Sequence, residues 1–297
     1  MRAAVIDLGS NSIRMDITDI LNRKPILISS YRKYVRLSEG MGEENILIPK
    51  AIRRTLDVVS DFKKIIDDSN VDMIYAVATA ALRTAVNKED FLAQSNKIGI
   101  DFKIISGEAE AYYDYIAVKS SFDFKDYIII DIGGASTELI YVKDGKNAEM
   151  TCIPYAAVNL TEKFFMNDTD KINALNKAKA FYKKLLDNVN WLKDVKNVYT
   201  IGLGGTIKAL ANFNCEKAFD IQGYEMDKRF VFKSAEEILN SSVKDRIEKF
   251  KIREDRADII SGGMIPLISV MDYVDSPKLI SSTACLREGI TYDIASK

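Results

Sequence analysis

The first third of the chain alternates short apolar runs with polar turns before a long amphipathic segment begins. The apolar runs predict strands over residues 3–8, 12–20 and 25–37. From Pro49 to Asp68, apolar residues return at helical spacing, which predicts a helix that buries one face. Further along, the pattern predicts a strand at 73–78, helices at about 79–97, a strand at 102–105 and a helix at about 107–119.

A polar segment at 120–126 separates the two halves of the chain, and Tyr127 begins a new apolar run that ends at Asp131. In the second half, the pattern predicts helices over about 157–193, 206–213, 234–248 and 254–274, then a strand at 278–281 and a last helix. Because strands alternate with helices, we expect an α/β fold.

The start of the chain is echoed in its middle. The segment VIDLGSNS begins at Val5, and IIDIGGAS begins at Ile129, 124 residues later. Each consists of an apolar strand that ends in Asp, then a glycine turn, a hydroxyl residue and a second strand. Two halves that open with the same hairpin indicate duplicated domains facing a cleft.

These turns have a chemistry that suits phosphate. Glycine allows a tight turn in which several backbone N–H groups can approach an anion. The Asp at the strand end would place a carboxylate beside that anion, and Mg²⁺ would reconcile the two negative groups. The alternative is a pair of ordinary hairpins with turn-forming Asp and Gly.

A third glycine-rich segment, TIGLGGTIK, begins at Thr200 and opens a predicted helix. The N-terminus of a helix offers unpaired N–H groups and the positive end of the helix dipole to an anion. The segment is neither a dinucleotide fingerprint nor a Walker P-loop, because it lacks the later glycine and the G-K-[ST] sequence. A tight turn required only by packing is the alternative.

Composition narrows the chemistry. The 297 residues are enough for two domains, and the 47% hydrophobic and 29% charged content is that of a globular protein. No histidine occurs, which excludes a Ser-His-Asp triad and a His-ligated zinc, so a general base must be Asp, Glu, Lys or Tyr. The formal net charge of −1 provides no basic field for DNA.

The sequence also predicts the cellular location of the chain. No run approaches the ~18 apolar residues that cross a bilayer, and no signal-peptide core follows the N-terminus, so we expect a cytoplasmic protein with no membrane partner. Three dispersed cysteines, Cys152, Cys215 and Cys285, are interpreted as small buried thiols in a reducing compartment.

Two further segments carry candidate charges. Arg83, in ATAALRTAVN, lies in a small-residue helix and is suited to bidentate phosphate contacts, although a solvated surface charge is the alternative. Glu108 and Glu110, in SGEAEA, open a helix, where acids are common because they complement the dipole. A chain without histidine nevertheless needs a carboxylate base.

Taken together, these segments resemble the exopolyphosphatase / guanosine pentaphosphate phosphohydrolase family. The similarity covers nearly the whole chain, and the matching segments occur in family order: IDLGSNSIRM, RLSEG, ATAALRTAVN, ISGEAEA, IDIGGASTEL, IGLGGTIKAL, RADIISGG and LREG. The resemblance implies two RNase-H-like (actin-like, sugar-kinase-like) domains flanking a central cleft. It places domain I at 1–121, with the last helix, about 285–297, packing back on it, and domain II at 122–284.

The resemblance also implies a function. It indicates release of terminal phosphate from polyphosphate, or conversion of guanosine pentaphosphate (pppGpp) to tetraphosphate (ppGpp) as in the stringent response. Mg²⁺ or Mn²⁺ would be required, and a homodimer is compatible with the resemblance.

The resemblance implies that Glu110 is the catalytic base and that Arg83 contacts phosphate. It implies metal ligation by Asp131, with Asp7 or Glu138. The implied phosphate-binding residues lie in the three loops: Ser10, Asn11, Ser12, Gly133, Gly134, Ala135, Ser136, Gly204, Gly205 and Thr206.

The sequence departs from the family pattern in several places. Ala135 replaces a glycine, Ser38 replaces another glycine, and Thr84 replaces the common Asp after the arginine. None of these changes removes a charged group. The chain stops shortly after LREG, so the C-terminal helical domains of long members are expected to be absent, which weakens the case for highly processive digestion.

Other interpretations stay open at this point. An ATP-dependent kinase of the same superfamily shares the D-x-G loops, and a non-catalytic sensor of guanosine alarmones could use the same site. A cluster of cations, Arg32, Lys33, Arg36, Arg53 and Arg54, indicates either a track for a phosphate polymer or solvated faces.

Overall fold

The computed structural model describes residues 1–42, 44–166, 171–214 and 221–297. The chain forms two compact units: the first holds Met1–Ala117 and Cys285–Lys297, and the second holds Val118–Ala284. The sequence places the first division four residues later, at 121/122.

The helices and strands follow one another in three stretches. The first stretch contains β1 (Arg2–Leu8), β2 (Ser12–Leu21), β3 (Lys24–Tyr34), α1 (Pro49–Asp68), β4 (Met73–Ala78), α2 (Ala80–Thr84), α3 (Lys88–Ile98), β5 (Phe102–Ile104) and α4 (Gly107–Ser121). The second contains β6 (Tyr127–Ile132), β7 (Thr137–Lys143), β8 (Lys146–Ile153), α5 (Ala157–Phe164), α6 (Lys171–Asp187), a 3-10 helix (Asn190–Asp194), β9 (Tyr199–Leu203) and α7 (Gly204–Asn214). The third contains β10 (Glu225–Asp227), α8 (Lys228–Asn240), α9 (Val243–Glu248), α10 (Glu254–Ala257), α11 (Ile260–Tyr273), β11 (Lys278–Ser281) and α12 (Leu286–Ser296).

The sheet of the first unit has the strand order β3-β2-β1-β4-β5. β1 pairs antiparallel with β2 and parallel with β4. Side chains of β1 alternate between the two faces of the sheet. Ile6 and Leu8 belong to the core cluster that includes the apolar face of α1, whereas Val5 packs with Leu286 and Ile290 of α12. The last helix of the chain therefore completes the core of the first unit.

The sheet of the second unit has the order β10-β11-β9-β6-β7-β8. β6, β7 and β8 form an antiparallel meander, and β6, β9 and β11 are parallel neighbours. Without β10, the other five strands, numbered from β6 along the chain, have the spatial order 3-2-1-4-5. The five strands of the first sheet, numbered from β1, have the same order. This shared order, with the second strand antiparallel, is that of RNase-H-like domains, so the predicted α/β fold class is confirmed.

Several predicted helices are wrong in extent. Within the predicted helical segment 157–193, α5 ends at Phe164 and α6 starts at Lys171, and residues 167–170 lie outside the described residues. The helix predicted at 234–248 starts earlier, because Asp227 caps α8 by accepting the Phe230 N–H at 2.7 Å. It is also divided into α8 and α9, with a break at Ser241 and Ser242. The segment 254–274 is likewise divided between α10 and α11.

Within the described parts of the chain, no helix is both long and apolar enough to cross a bilayer.

Candidate active site

The turn between β1 and β2 keeps its backbone N–H groups available. The Gly9 N–H donates to the Ser12 carbonyl oxygen at 3.0 Å, and the Ser38 N–H donates to the Ser10 carbonyl oxygen at 3.1 Å. In the described structure, the N–H groups of Ser10 and Asn11 donate to no protein acceptor. The buried Nδ2 of Asn11 also lacks a hydrogen-bond partner there. Unused donors of this kind suit an anion.

The turn between β6 and β7 repeats this construction. The Gly133 N–H donates to the Ser136 carbonyl oxygen at 3.1 Å, as Gly9 does to Ser12. The Gly134 carbonyl accepts the Val158 N–H of α5 at 2.7 Å. The N–H groups of Gly134 and Ala135 donate to no acceptor among the described residues. The sequence echo is therefore also an echo in hydrogen bonding.

The first residue of α7 lies directly against the end of β6. Gly204 has a φ of +89°, and a Cβ placed on it would come within 2.5 Å of the Ile132 carbonyl oxygen and 2.7 Å of Asp131 Oδ1. Only glycine fits this left-handed, crowded position. The close approach holds the Asp131 carboxylate beside the N-terminal turn of α7.

A guanidinium group lies on the same turn of α7. A Cβ on Gly205 would collide with the guanidinium of Arg256, which therefore packs against the helix tip. The Thr206 side chain is fully buried and faces Gly263 of α11. The whole residue, backbone included, has no exposed surface, and a contact between Thr206 and phosphate stays a prediction.

Arg83 and Glu110 form an ion pair in the first unit. Arg83 Nη1 lies 3.1 Å from Glu110 Oε2 and 3.0 Å from the Ile105 carbonyl oxygen, to which it also donates. The side chains are 23% and 13% exposed, so the pair is shielded but reachable. The Thr79 N–H donates to the Leu8 carbonyl oxygen at 3.1 Å, which attaches the start of α2 to the end of β1. Arg83 is thereby held near the first turn.

Asp131 and Glu138 are direct cross-strand neighbours in the β6–β7 ladder, so their side chains share a face of the sheet. Among the described residues, no three acidic or cysteine side chains lie close enough to form a complete metal site. Mg²⁺ commonly takes one or two protein carboxylates and completes its shell with water and phosphate oxygens. The donor set of this pair therefore fits Mg²⁺ or Mn²⁺.

In the first sheet, the corresponding cross-strand neighbours form a row of side chains that carries different charges. Asp7, Arg14 and Arg32 are opposite one another on β1, β2 and β3. Arg287 of α12 reaches the same face, where its Nε lies 2.8 Å from Asp16 Oδ2 and its Nη1 lies 3.4 Å from Asp7 Oδ2. Burial alone would lower the pKa of Arg287, but Cys285, Asp16 and Asp7 outweigh it and raise that pKa. Asp7 thus pairs with Arg287, and Asp131 lies beside the tip of α7.

The predicted cation track does not consist of five equivalent side chains. Arg54 donates to the Val35 carbonyl oxygen at 2.5 Å and pairs with Glu39 at 2.9 Å. Its role is therefore to fasten the segment after β3. Lys33 and Arg53 are exposed. A polymer track stays a prediction.

The predicted site residues thus form two groups, one in each unit. The first unit holds Asp7, Ser10, Asn11, Ser12, Arg83 and Glu110. The second unit holds Asp131, Gly133, Gly134, Ala135, Ser136, Glu138, Gly204, Gly205 and Thr206.

Comparison with known proteins decides the family. Residues 17–297 match the Ppx/GppA phosphatase family. The chain belongs to this family. Among curated Ppx/GppA relatives, the guanosine-5'-triphosphate,3'-diphosphate pyrophosphatase of Vibrio atlanticus is 29% identical over 303 residues, which cover 99% of this chain and 59% of the relative. The corresponding protein of Vibrio cholerae is 29% identical over 299 residues, again 59% of its length. The chain therefore spans about 59% of these relatives.

Solved Ppx/GppA structures match the chain over its full length. The crystal structure of the Aquifex aeolicus family member is 30% identical, with a TM-score of 0.82, and the match covers 100% of this chain and 98% of that one. An exopolyphosphatase from Cytophaga hutchinsonii gives a TM-score of 0.90 at 24% identity, with the same coverage. The latter similarity establishes the shared fold.

Two residues near the predicted groups were missed by the sequence reasoning. Arg256 belongs to the Ppx/GppA segment RADIISGG, but nothing in that segment indicates that its guanidinium packs on Gly205. Arg14 lies in IDLGSNSIRM, and only the strand register shows that it stands opposite Asp7. An arginine within a matched segment was the available signal in both cases.

Proposed function

We propose that this chain is a phosphohydrolase that releases terminal orthophosphate from inorganic polyphosphate, from guanosine pentaphosphate, or from both. The observation that carries the proposal is the shielded Arg83–Glu110 pair beside a turn with unused N–H donors, in a member of a phosphatase family. The two substrates are those suggested by the names of the pyrophosphatase and exopolyphosphatase relatives.

Glu110 is the general base in this proposal. With no histidine in the chain, a carboxylate is the natural acceptor for the proton of the attacking water. In the resting protein, Arg83 neutralises Glu110 at 3.1 Å. A phosphate group that competes for Arg83 would release one Glu110 oxygen to accept a hydrogen bond from water. The water oxygen then bonds to the terminal phosphorus, the bridging P–O bond breaks, and the water proton passes to Glu110.

The leaving group determines the product. Polyphosphate leaves one phosphate shorter, and guanosine pentaphosphate leaves as the tetraphosphate. Charge grows on the bridging oxygen as the bond breaks, and preorganised N–H donors stabilise such charge. The unused N–H groups of Ser10 and Asn11, in the same unit as Arg83 and Glu110, are donors of this kind.

A divalent cation completes the proposal. Asp131, with Glu138 beside it, would hold Mg²⁺ or Mn²⁺. When bound, the cation would neutralise charge on the phosphate oxygens. Arg256 adds a positive charge at the tip of α7, where the helix dipole also favours an anion. Both features support binding of a polyanion despite the formal net charge of −1.

A phosphate-release assay tests the proposal. The substrates are long polyphosphate, short polyphosphate, guanosine pentaphosphate and ATP with candidate acceptors, each with Mg²⁺, with Mn²⁺ and with EDTA. We expect cation-dependent orthophosphate release from polyphosphate or guanosine pentaphosphate, lost in EDTA and restored by either cation.

Other outcomes identify the alternatives. Tight binding of the guanosine nucleotide without phosphate release from any substrate would indicate a sensor and contradict the proposal. ADP formation that depends on an acceptor would indicate a kinase.

A further inference from the structure

A thiol contacts one of the two neighbouring carboxylates of the second unit. The Cys152 thiol donates to Glu138 Oε1, with 3.2 Å between Sγ and oxygen. Glu138 is 1% exposed, and Cys152 is partly exposed. The buried thiols expected from the sequence are therefore wrong for Cys152 and Cys285, which are both partly exposed, and Cys215 lies outside the described residues. Cys152 lies on the edge strand β8.

The strand register explains the contact. Asp131, Glu138 and Cys152 are opposite one another on the neighbouring strands β6, β7 and β8. Glu138 is thus the middle member of a row, with Asp131 on one side and the thiol on the other. A buried carboxylate needs donors that fix its orientation.

The opposite face of β7 packs into the core of the second unit. Leu139, next to Glu138 on this strand, belongs to the buried core cluster, and the Thr137 hydroxyl donates to the Tyr155 carbonyl oxygen at 2.8 Å. Neighbouring side chains of a strand point to opposite faces, so both neighbours of Glu138 are anchored on the core face. This anchoring fixes the backbone from which the Glu138 side chain extends.

We propose that Cys152 is a positioning residue, whose thiol orients Glu138 and thereby maintains the cation affinity of the Asp131–Glu138 pair. This inference rests on the proposed function, in which that pair holds a divalent cation. Residues that orient metal ligands typically change metal affinity by about 10- to 100-fold when they are removed. Because a thiol is a weak donor, we expect the lower end of that range.

The neighbouring residue supplies a matched control. Thr151 precedes Cys152 on β8, and its side chain points to the opposite face of the sheet. The Thr151 hydroxyl accepts a hydrogen bond from Trp191 Nε1 at 2.8 Å. Thr151→Ala therefore removes one hydrogen bond from the same strand without touching Glu138.

The test measures Mn²⁺ binding directly, through the electron paramagnetic resonance signal of free Mn²⁺, in the whole 297-residue chain without substrate. The variants are Cys152→Ala, Cys152→Ser, Thr151→Ala and Asp131→Asn, each checked for folding by thermal unfolding. We expect Cys152→Ala to weaken Mn²⁺ binding about tenfold. Cys152→Ser retains a donor and should stay within about twofold of wild type. Thr151→Ala should bind as wild type, and Asp131→Asn should lose binding.

Each outcome decides the inference. Equal Mn²⁺ affinity in wild type and Cys152→Ala would overturn it, as would equal weakening in Cys152→Ala and Cys152→Ser. Failure of the wild type to bind Mn²⁺ would overturn it as well. Mn²⁺ binding with the expected order of variants, but no phosphate release in the assay above, would uphold the role of Cys152 and contradict the proposed function.

Discussion

Arg287 is the residue on which the charged face of the first sheet depends. Its guanidinium is 8% exposed and lies between two carboxylates, Asp16 at 2.8 Å and Asp7 at 3.4 Å. Removing one partner from a buried ion pair leaves uncompensated charge, which is more damaging than losing the attraction alone.

Arg287→Met should therefore destabilise the first unit by about 3–5 kcal/mol, because two shielded carboxylates would lose their cation. Urea unfolding of the variant, followed by circular dichroism, measures this free energy. Arg53→Met provides the control, since Arg53 is an exposed arginine of the same unit and surface substitutions usually change stability by less than about 0.5 kcal/mol. Equal stability of the two variants would show that Arg287 is not a central ion-pair partner.

For individual residues, the sequence identified the candidates but not the contacts that they make. The lack of histidine and the matched segments were sufficient to select Glu110 and Arg83 as candidates. Their 3.1 Å contact is a product of tertiary packing, since they are 27 residues apart on different helices. Arg256 and Cys152 were missed for the same reason: their partners, Gly205 and Glu138, are brought close only by strand register and helix packing.

Helices and strands were predictable to different degrees. The hairpins were predicted well, because alternation and a glycine turn are local signals. The long helices of the second unit were predicted with too few interruptions, because capping by Asp227 and Ser242 competes with apolar periodicity. Pro266 lies inside α11 without ending that helix, so the prediction of a helix through this position is confirmed.

The start of α7 gives a prediction about an element. Gly204→Ala would place a methyl group against the Ile132 carbonyl and Asp131, in addition to the strain of a left-handed backbone. We expect it to reduce stability by more than the ~1–2 kcal/mol of the backbone term alone and to lower cation-dependent phosphate release. The measurements are urea unfolding and the phosphate-release assay.

Gly145→Ala is the matched control for this change. Gly145 also has a positive φ, +71°, but a Cβ there meets no atom within 4 Å. Gly145→Ala should lose only the stability that a left-handed backbone costs, and its activity should be normal. If Gly204→Ala were no more destabilising than Gly145→Ala, the crowding at the tip of α7 would not matter.

For the whole molecule, duplication is the main organising feature. Both units use the 3-2-1-4-5 strand order and the same turn hydrogen bond, yet the charges on the equivalent rows differ. The first unit carries Asp7 with Arg14, and the second carries Asp131 with Glu138. The two copies have therefore diverged into a cation-rich face and an acidic face.

The family assignment sets the expected reaction, and the residues proposed to carry it out are mostly within the matched region. The 281 residues from 17 to 297 that match the Ppx/GppA family include all the proposed site residues except Asp7, Ser10, Asn11 and Ser12. In the proposed reaction, Glu110 of this chain activates water for attack on a terminal phosphate.

The most direct measurement is the turnover number for orthophosphate release by Glu110→Gln, compared with Glu108→Gln as an exposed glutamate of the same helical turn. We expect Glu110→Gln to lower turnover by about 10²- to 10⁴-fold, the contribution typical of a positioned general base. Glu108→Gln should behave as wild type, and both variants should keep the wild-type circular dichroism spectrum. Turnover of Glu110→Gln close to that of wild type would show that Glu110 is not the general base.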